Sequence, residues 1–315
     1  MKATITATPA TPPTTTPAIH TLLELAVVGA AGGVELLTDR SAEAFVRAHY
    51  FETRPDIVEV YEALPIAILR ADLFRYLVVL AEGGIWGDLD TSCEKEVSEW
   101  VLEEYRNENI DMIVGLEFDF EWRGPETEVA SQFCNWIFVA RKSSRNLQIV
   151  VDTVVKTLKD IAQKNSVGIE GITLEMLSDV VNVTGPKNMT ITLMDSLQQL
   201  LGRPVDDRDY AHTKRLKLVG DVFVMPGAAF AALQNGNRTD QGDVLVTHYY
   251  EGSWKKEDVE AKGRKKTETR AREVETRTTA TVTTATTAGT AATIITTTYC
   301  DLKRTSEGHL VAIPN

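Results

Sequence analysis

Arg70-Ala71-Asp72-Leu73-Phe74-Arg75-Tyr76 leads, through Glu82-Gly83-Gly84-Ile85-Trp86-Gly87, into Asp88-Leu89-Asp90. This run reads as a helix, a glycine turn and a short strand that ends in paired carboxylates. Ile66, Leu69, Leu73, Leu77 and Leu80 share one stripe of a helix from about Pro65 to Glu82, and Gly83-Gly84 terminates it. In a strand side chains alternate between faces, so Asp88 and Asp90 are expected to emerge together while Leu89 points back to the core. Two hard oxygen donors on one surface suit a divalent cation of the Mg²⁺ or Mn²⁺ type, which keeps coordination sites for substrate phosphates. The pattern points to chemistry on a phosphorylated donor.

Outward from this block, Ser41 to Tyr50 reads as an amphipathic helix capped by Asp39 or Ser41. Ile110–Glu117, Asn135–Ala140, Val219–Met225 and Asp243–Tyr249 read as strands, and Asn146–Asp160 and Thr173–Val181 as helices. Strands alternating with helices predict an α/β domain, a single sheet flanked by helices. Thr4 to Pro17 is almost entirely Thr, Pro and Ala, and a charged run followed by a Thr/Ala tract ends the chain. Such compositions bury too little apolar surface to offset ordering entropy. The expected division is a leader over 1–34, a catalytic domain over 35–256 and a tail over 257–315, with both ends disordered.

The chain has 315 residues, 43% hydrophobic and 25% charged, ordinary for a globular protein. A formal net charge of −12 excludes a nucleic-acid partner held by a basic face. Leu22 to Leu37 carries Glu24, Glu35 and three glycines and falls short of a membrane span, and no basic flank marks a signal peptide. Cys93, Cys134 and Cys300 are too few for a disulfide scaffold. A Cys93–Cys134 bridge in an oxidising lumen and two buried thiols both stand open, the thiols being the plainer reading. Asn182, Asn188 and Asn237 begin glycosylation sequons.

Ala71-Asp72-Leu73-Phe74-Arg75-Tyr76 followed by Gly83-Gly84-Ile85-Trp86-Gly87-Asp88-Leu89-Asp90 resembles the signature block of the family 32 glycosyltransferases. That family contains the fungal initiating α-1,6-mannosyltransferase and, more distantly, the sugar-transferring domain of large clostridial toxins. Its pattern is Ala-Asp-x-x-Arg-Tyr, then Gly-Gly-x-Tyr-x-Asp-x-Asp, with Trp86 here in place of Tyr. Val183-Thr184-Gly185-Pro186 is similar to the family's Thr-Gly-Pro turn after a helix, and His248 to Lys255 to its closing His-x-x-x-Gly-Ser-Trp block.

The resemblance implies a GT-A type fold, a sugar-nucleotide donor such as GDP-mannose, a glycan acceptor and Mn²⁺ or Mg²⁺. Asp88 and Asp90 would hold the ion, Asp88 would also face the nucleotide ribose, and His248 would be a further ligand or a diphosphate contact. Asp72 would accept from donor-sugar hydroxyls and Arg75 would touch sugar and phosphate oxygens. Ser253 and Trp254 would belong to a loop that closes over the diphosphate. Thr184 and Gly185 would shape a turn near the acceptor. The family's setting is the Golgi or another secretory lumen. Taken without the resemblance, Asp72 and Arg75 would be an exposed ion pair, and Glu117, Asp119 and Glu121 a solvated charge run that could line an acceptor cleft.

Family members open with a strand of the form Pro-Lys-x-Ile-His-Gln-x-Trp that builds part of the base pocket. Here Ala26-Val27-Val28-Gly29-Ala30-Ala31-Gly32-Gly33 stands in its place. Three readings follow: a retaining α-1,6-mannosyltransferase-like enzyme, an inositol-sphingolipid glycosyltransferase, and a catalytically silent binding protein of the same fold.

Overall fold

The computed structural model describes residues 25–28, 34–37, 39–101, 105, 108–121, 124, 128–236, 240–250, 302–304 and 310–312. Its centre is a seven-stranded mixed sheet in the order β2-β1-β3-β6-β5-β8-β7. The strands are β1 (Leu25–Val28), β2 (Val34–Leu37), β3 (Gly84–Asp88), β5 (Met112–Asp119), β6 (Ser131–Ala140), β7 (Lys217–Val219) and β8 (Val222–Val224). All pairings are antiparallel except β5 with β8. A second ladder joins β4 (Thr91–Cys93) to β9 (Val246–His248), setting Thr91 opposite His248. Strands β10 (Leu302–Arg304) and β11 (Leu310–Ala312) form a separate pair. The mixed sheet flanked by helices is the α/β arrangement that the sequence predicts, consistent with a GT-A-like fold. Strand β1 and the first residue of β2 lie before residue 35, where the sequence reading begins the domain.

Helices α1 (Asp39–Tyr50), α2 (Pro55–Ala63), α3 (Ala67–Glu82), α4 (Arg145–Lys164) and α6 (Pro186–Leu201) pack together, and two short helices, α5 (Val180–Val183) and α7 (Ala228–Ala231), fill gaps. The single stripe expected of α3 is too narrow a description. Phe74, Tyr76, Val78 and Val79 are buried alongside Leu69, Leu73, Leu77 and Leu80, so α3 is apolar nearly all round, as befits a helix inside the core. Gly83 ends it at φ 71 and ψ −179, a backbone region essentially reserved for glycine. A Cβ there would stand 2.6 Å from the Lys142 backbone nitrogen, so any other residue would push the α3–β3 turn off the connection that follows β6.

Two helices escape the sequence reading. Helix α2 begins on Pro55 at a first-turn position and buries Ile57, Val58, Val60 and Tyr61. Helix α6 begins on Pro186 and buries Met189, Leu193 and Leu197 at four-residue intervals. Conversely, the helix expected over Thr173–Val181 is a 3₁₀ turn at Leu174–Met176 and then α5, capped by Asp179. The Asn188 sequon is closed to glycosylation, because that side chain is buried and donates to the Val183 carbonyl at 3.0 Å.

Two apolar clusters occupy opposite sides of the sheet. The larger joins α3, α4 and α6 to Trp86, Phe133 and Phe138; the smaller gathers Ile85, Cys134, Trp136, Ile137, Phe230 and Val246. Strand β5 shifts register against β6 between Val114 and Leu116 and again before Phe118. Strand β6 correspondingly breaks alternation, because Trp136 and Ile137 join the same cluster. Such irregularities re-aim side chains. Here Asn135 turns to α3 and Trp136 to β9.

Candidate active site

Helix α3 carries Asp72 and Arg75 three residues apart, so both leave the same face. Each side chain is only 5% exposed, which excludes the surface ion pair. Arg75 Nη2 lies 3.0 Å from Asp72 Oδ1, and Nη1 donates to the Asn135 carbonyl at 3.0 Å and faces Asp88 Oδ1 at 3.4 Å. The guanidinium also covers the Trp86 ring at 5.6 Å. One cation thus ties the helix to the end of β3.

Asp72 is held from two further directions. Asn135 Nδ2 donates to its Oδ1 at 3.1 Å, and Thr184 Oγ1 to its Oδ2 at 2.8 Å. Tyr76 completes the network: its hydroxyl donates to the Thr184 carbonyl at 2.9 Å and accepts from Asn135 Nδ2 at 3.0 Å. Thr184 therefore belongs to the Asp72 network, a contact that the expected acceptor-side turn did not include. The Thr-Gly-Pro turn carries it there because Pro186 starts α6, and Gly185 passes so close to α5 that a Cβ would sit 2.8 Å from Val181 Cα.

Asp88 closes β3, where Trp86 Nε1 donates to its Oδ1 at 2.8 Å. Trp86 is fully buried, so the aromatic of the signature block orients the carboxylate as well as filling the core. Burial pushes the Asp72 and Asp88 carboxyls above the usual carboxylate range, and Arg75 opposes that shift at both. Burial also disfavours the Arg75 charge, but Asp88 and Asp72 together hold the guanidinium protonated.

It is the turn after β3, and not strand alternation, that sets Asp90 relative to Asp88, close enough for its charge to raise the Asp88 carboxyl. Strand β3 stops at Asp88, and Leu89 and Asp90 form the turn into β4. The side chains of Asp88 and Asp90 are 26% and 19% exposed. His248, at the end of β9, places Nε2 3.1 Å from Asp90 Oδ1. Its ring lies between Trp136 and Tyr250, at centroid distances of 4.2 and 3.9 Å. The contacts fall into two sets, Asp72–Arg75–Asp88 and Asp90–His248, which meet at the β3–β4 turn, where Asp90 and His248 both act on the Asp88 carboxyl. Ser253 and Trp254 lie outside the described residues.

Asn135, Tyr76, Trp86, Trp136 and Tyr250 were not singled out from sequence. Of these, Trp86 and Tyr76 carried a signal by sitting inside the signature block and Tyr250 by sitting inside the closing block, whereas Asn135 and Trp136 lie in neither. The acidic run is no simple solvated loop: Asp119 is 1% exposed, accepts from Ser131 Oγ at 2.5 Å and lies 3.3 Å from His212 Nδ1. Glu117 accepts from Gln132 Nε2 at 2.7 Å. Cys134 is a free, buried thiol, so the Cys93–Cys134 bridge does not form.

The donor set fits Mn²⁺ or Mg²⁺ of the open kind. Asp88 and Asp90 are partly exposed carboxylates, and the His248 imidazole turns its Nε2 to Asp90. No three His, Cys, Asp or Glu side chains among the described residues form a cage. An ion held by one or two carboxylates and by substrate phosphates needs no cage.

Residues 29–107 match the glycosyltransferase sugar-binding region containing the DXD motif. The initiation-specific alpha-1,6-mannosyltransferase of Schizosaccharomyces pombe is 30% identical over 227 residues, 70% of this chain and 55% of that protein. The Candida albicans protein of the same name is 25% identical over 255 residues, 70% of this chain and 62% of that protein. The chain thus spans little more than half the length of these relatives. The matched region contains the whole Asp72–Asp90 block around which the site is built, so this chain carries the DXD-containing sugar-binding region of the glycosyltransferases that its signature block resembles.

Proposed function

We propose that this chain is a metal-dependent, retaining glycosyltransferase that moves mannose from GDP-mannose to a glycan, in the manner of the α-1,6-mannosyltransferases. The observation that supports it best is the buried Asp72–Arg75–Asp88 network leading to the Asp90–His248 pair. In this reading residues 35–256, with strand β1 before them, make up the catalytic domain, and the setting is the lumen of the Golgi. No helix among the described residues is long and apolar enough to cross a membrane.

Cleaving the anomeric C–O bond of a sugar nucleotide builds negative charge on the departing diphosphate, and a bound Mn²⁺ or Mg²⁺ neutralises it. Asp88 and Asp90 hold the ion, with His248 beside Asp90. Trp86 and Arg75 fix Asp88, so its carboxylate meets the ion and the ribose already oriented. Asp72 Oδ1 takes Asn135 and Arg75 and Oδ2 takes Thr184, so Oδ2 retains a lone pair for a donor-sugar hydroxyl. Arg75 holds Asp72 in place and presents its charge towards sugar and phosphate oxygens.

The test is GDP release from GDP-mannose by the full chain with Mn²⁺, beside an Asp88→Ala, Asp90→Ala double variant. Release that vanishes in the variant is the expected result. Folded protein that turns over no member of a sugar-nucleotide panel would leave the silent binding domain as the better account.

A further inference from the structure

Past Leu116, strand β5 changes the face on which its side chains stand. Leu116 is paired with Phe133, both in the larger cluster, and the next pair is Phe118 with Gln132. That step takes two residues of β5 and one of β6, so Glu117 is the extra residue of a bulge and the alternation of β5 is reversed beyond it. Residues directly opposite share a face, so Phe118, and Phe120 two residues on, stand on the Gln132 side of the sheet. That side also carries Cys134 and Trp136, and Trp136 stacks on His248. Asp119 returns to the other side, where it accepts from Ser131 Oγ at 2.5 Å and from the His212 amide at 2.8 Å.

The Phe118 and Phe120 rings stack nearly parallel, with centroids 4.9 Å apart and planes 16° from each other. The Phe120 amide donates to the Ala130 carbonyl at 2.9 Å, which fixes the outer ring to the sheet, yet Phe120 is 58% exposed. Beside the rings, Glu117 Oε2 accepts from the buried Gln132 Nε2 at 2.7 Å, which orients the carboxylate. The Glu117 charge is felt at Cys134 and at Tyr250, the ring that covers His248. From Gln132 to Trp136 is four residues of strand, at most about 14 Å, the reach of a short oligosaccharide.

One exposed ring alone would need no explanation. Two rings turned by a bulge to the active-site side, held rigid and set beside an oriented carboxylate, do need one. Ring faces are electron-rich and attract the C–H bonds of a saturated ring, and a carboxylate accepts from hydroxyls. A pyranose offers an apolar C–H face and a hydroxyl edge together. Glu117 and the exposed Glu121 repel phosphates and acidic membranes. Two rings that already cover one another fall short of the roughly 800 Å² per partner that a stable protein contact needs.

Resting on the glycosyltransferase reading above, we infer that Phe120, stacked on Phe118 and flanked by Glu117, is a platform for a sugar of the acceptor glycan, one or more units away from the reacting hydroxyl. Calorimetric titration of the full chain with methyl α-mannoside, with mannotriose and, in Mn²⁺, with GDP-mannose tests this. Wild type is compared with Phe120→Ala, Phe120→Tyr and Phe51→Ala, the last deleting a ring that is 54% exposed elsewhere on the surface.

Phe120→Ala is expected to weaken mannotriose about 3- to 10-fold and to leave methyl α-mannoside and GDP-mannose unchanged. Phe120→Tyr, which keeps the ring face, restores mannotriose binding, and Phe51→Ala has no effect. The platform is overturned if wild type does not bind mannotriose or if Phe120→Ala binds it equally well. A loss that falls on GDP-mannose instead would give the ring to the donor and also overturn it. So would self-association, read by sedimentation, that disappears in Phe120→Ala while mannotriose binding stays, since a second copy would then be the occupant. GDP release needs no acceptor, so a failed platform stays distinct from a failed donor site.

Discussion

Replacing Arg75 by Met keeps the apolar stem and removes the guanidinium that stands 3.0 Å from Asp72 and 3.4 Å from Asp88. Two carboxylates then lose their common cation. Removing one partner of a buried ion pair costs about 3–5 kcal/mol, because a charge is stranded in low dielectric. Asp72 is 5% exposed and bears most of this loss, whereas Asp88, at 26%, retains some water. Hydrogen bonds from Asn135 and Thr184 persist at Asp72, so the total stays inside that range. The cost depends on pH with a definite sign. Burial already raises the Asp72 carboxyl, and Arg75 opposes the rise, so the variant's folded pKa climbs further above the unfolded value. A carboxyl raised in the folded state stabilises fully below its unfolded pKa and loses that contribution as pH rises through the folded one. Arg75→Met is therefore expected to lose about 3–5 kcal/mol near pH 8 and distinctly less near pH 5. Urea unfolding followed by circular dichroism at both pH values measures this, and adding Asp72→Asn restores part of the loss at the higher pH. A loss below about 1 kcal/mol, or one that grows towards acid, would refute the assignment of Arg75 as the charge that balances Asp72.

Two further outcomes follow from the same network. Thr184→Val deletes one hydroxyl that donates to a buried carboxylate at 2.8 Å, so stability falls by about 1.5–3 kcal/mol, while Thr184→Ser recovers most of it; equal losses in both would mean that only packing matters. Mn²⁺ binding, followed by paramagnetic relaxation, is expected to weaken on acidification at a pH above the ordinary aspartate range, because burial raises Asp88 and a proton then competes with the ion; a midpoint at or below the model-peptide value of 3.8 would count against Asp88 as a ligand.

What the chain discloses before it is folded depends on how far apart in sequence the causes lie. Helix α3, the Gly83 stop and the approach to Asp88 are local: apolar spacing, a glycine that must adopt φ 71, and alternation over five residues settle them. Alternation does not carry on to Asp90, because the strand ends at Asp88, two residues before it. Helix α6 hid behind Asn188, Thr190 and Thr192, residues that rank poorly as helix formers. Their side chains are buried here and work as polar contacts: Thr190 donates to the Pro186 carbonyl at 2.8 Å and accepts from the Phe133 amide at 2.9 Å. Tertiary hydrogen bonds thus overrule a local preference that a sequence reading can see.

The network around Asp72 shows the same limit at the site itself. Asp72 and Arg75 are three residues apart and were readable as a pair, but what makes them more than a surface ion pair comes from Asn135, 63 residues on, and Thr184, 112 residues on. Neither partner has periodicity or spacing relative to Asp72. Motif resemblance found Thr184 without finding its contact, because a motif records which residue types recur and not which atoms meet. Asn135 left no motif at all; its position follows from the register shift between β5 and β6, which turns it to α3 and its neighbour Trp136 to His248. The irregular pairing of β5 with β6 therefore serves both parts of the site, with an Asn135 hydrogen bond to the buried ion network on one side and a Trp136 ring stacked on His248 on the other.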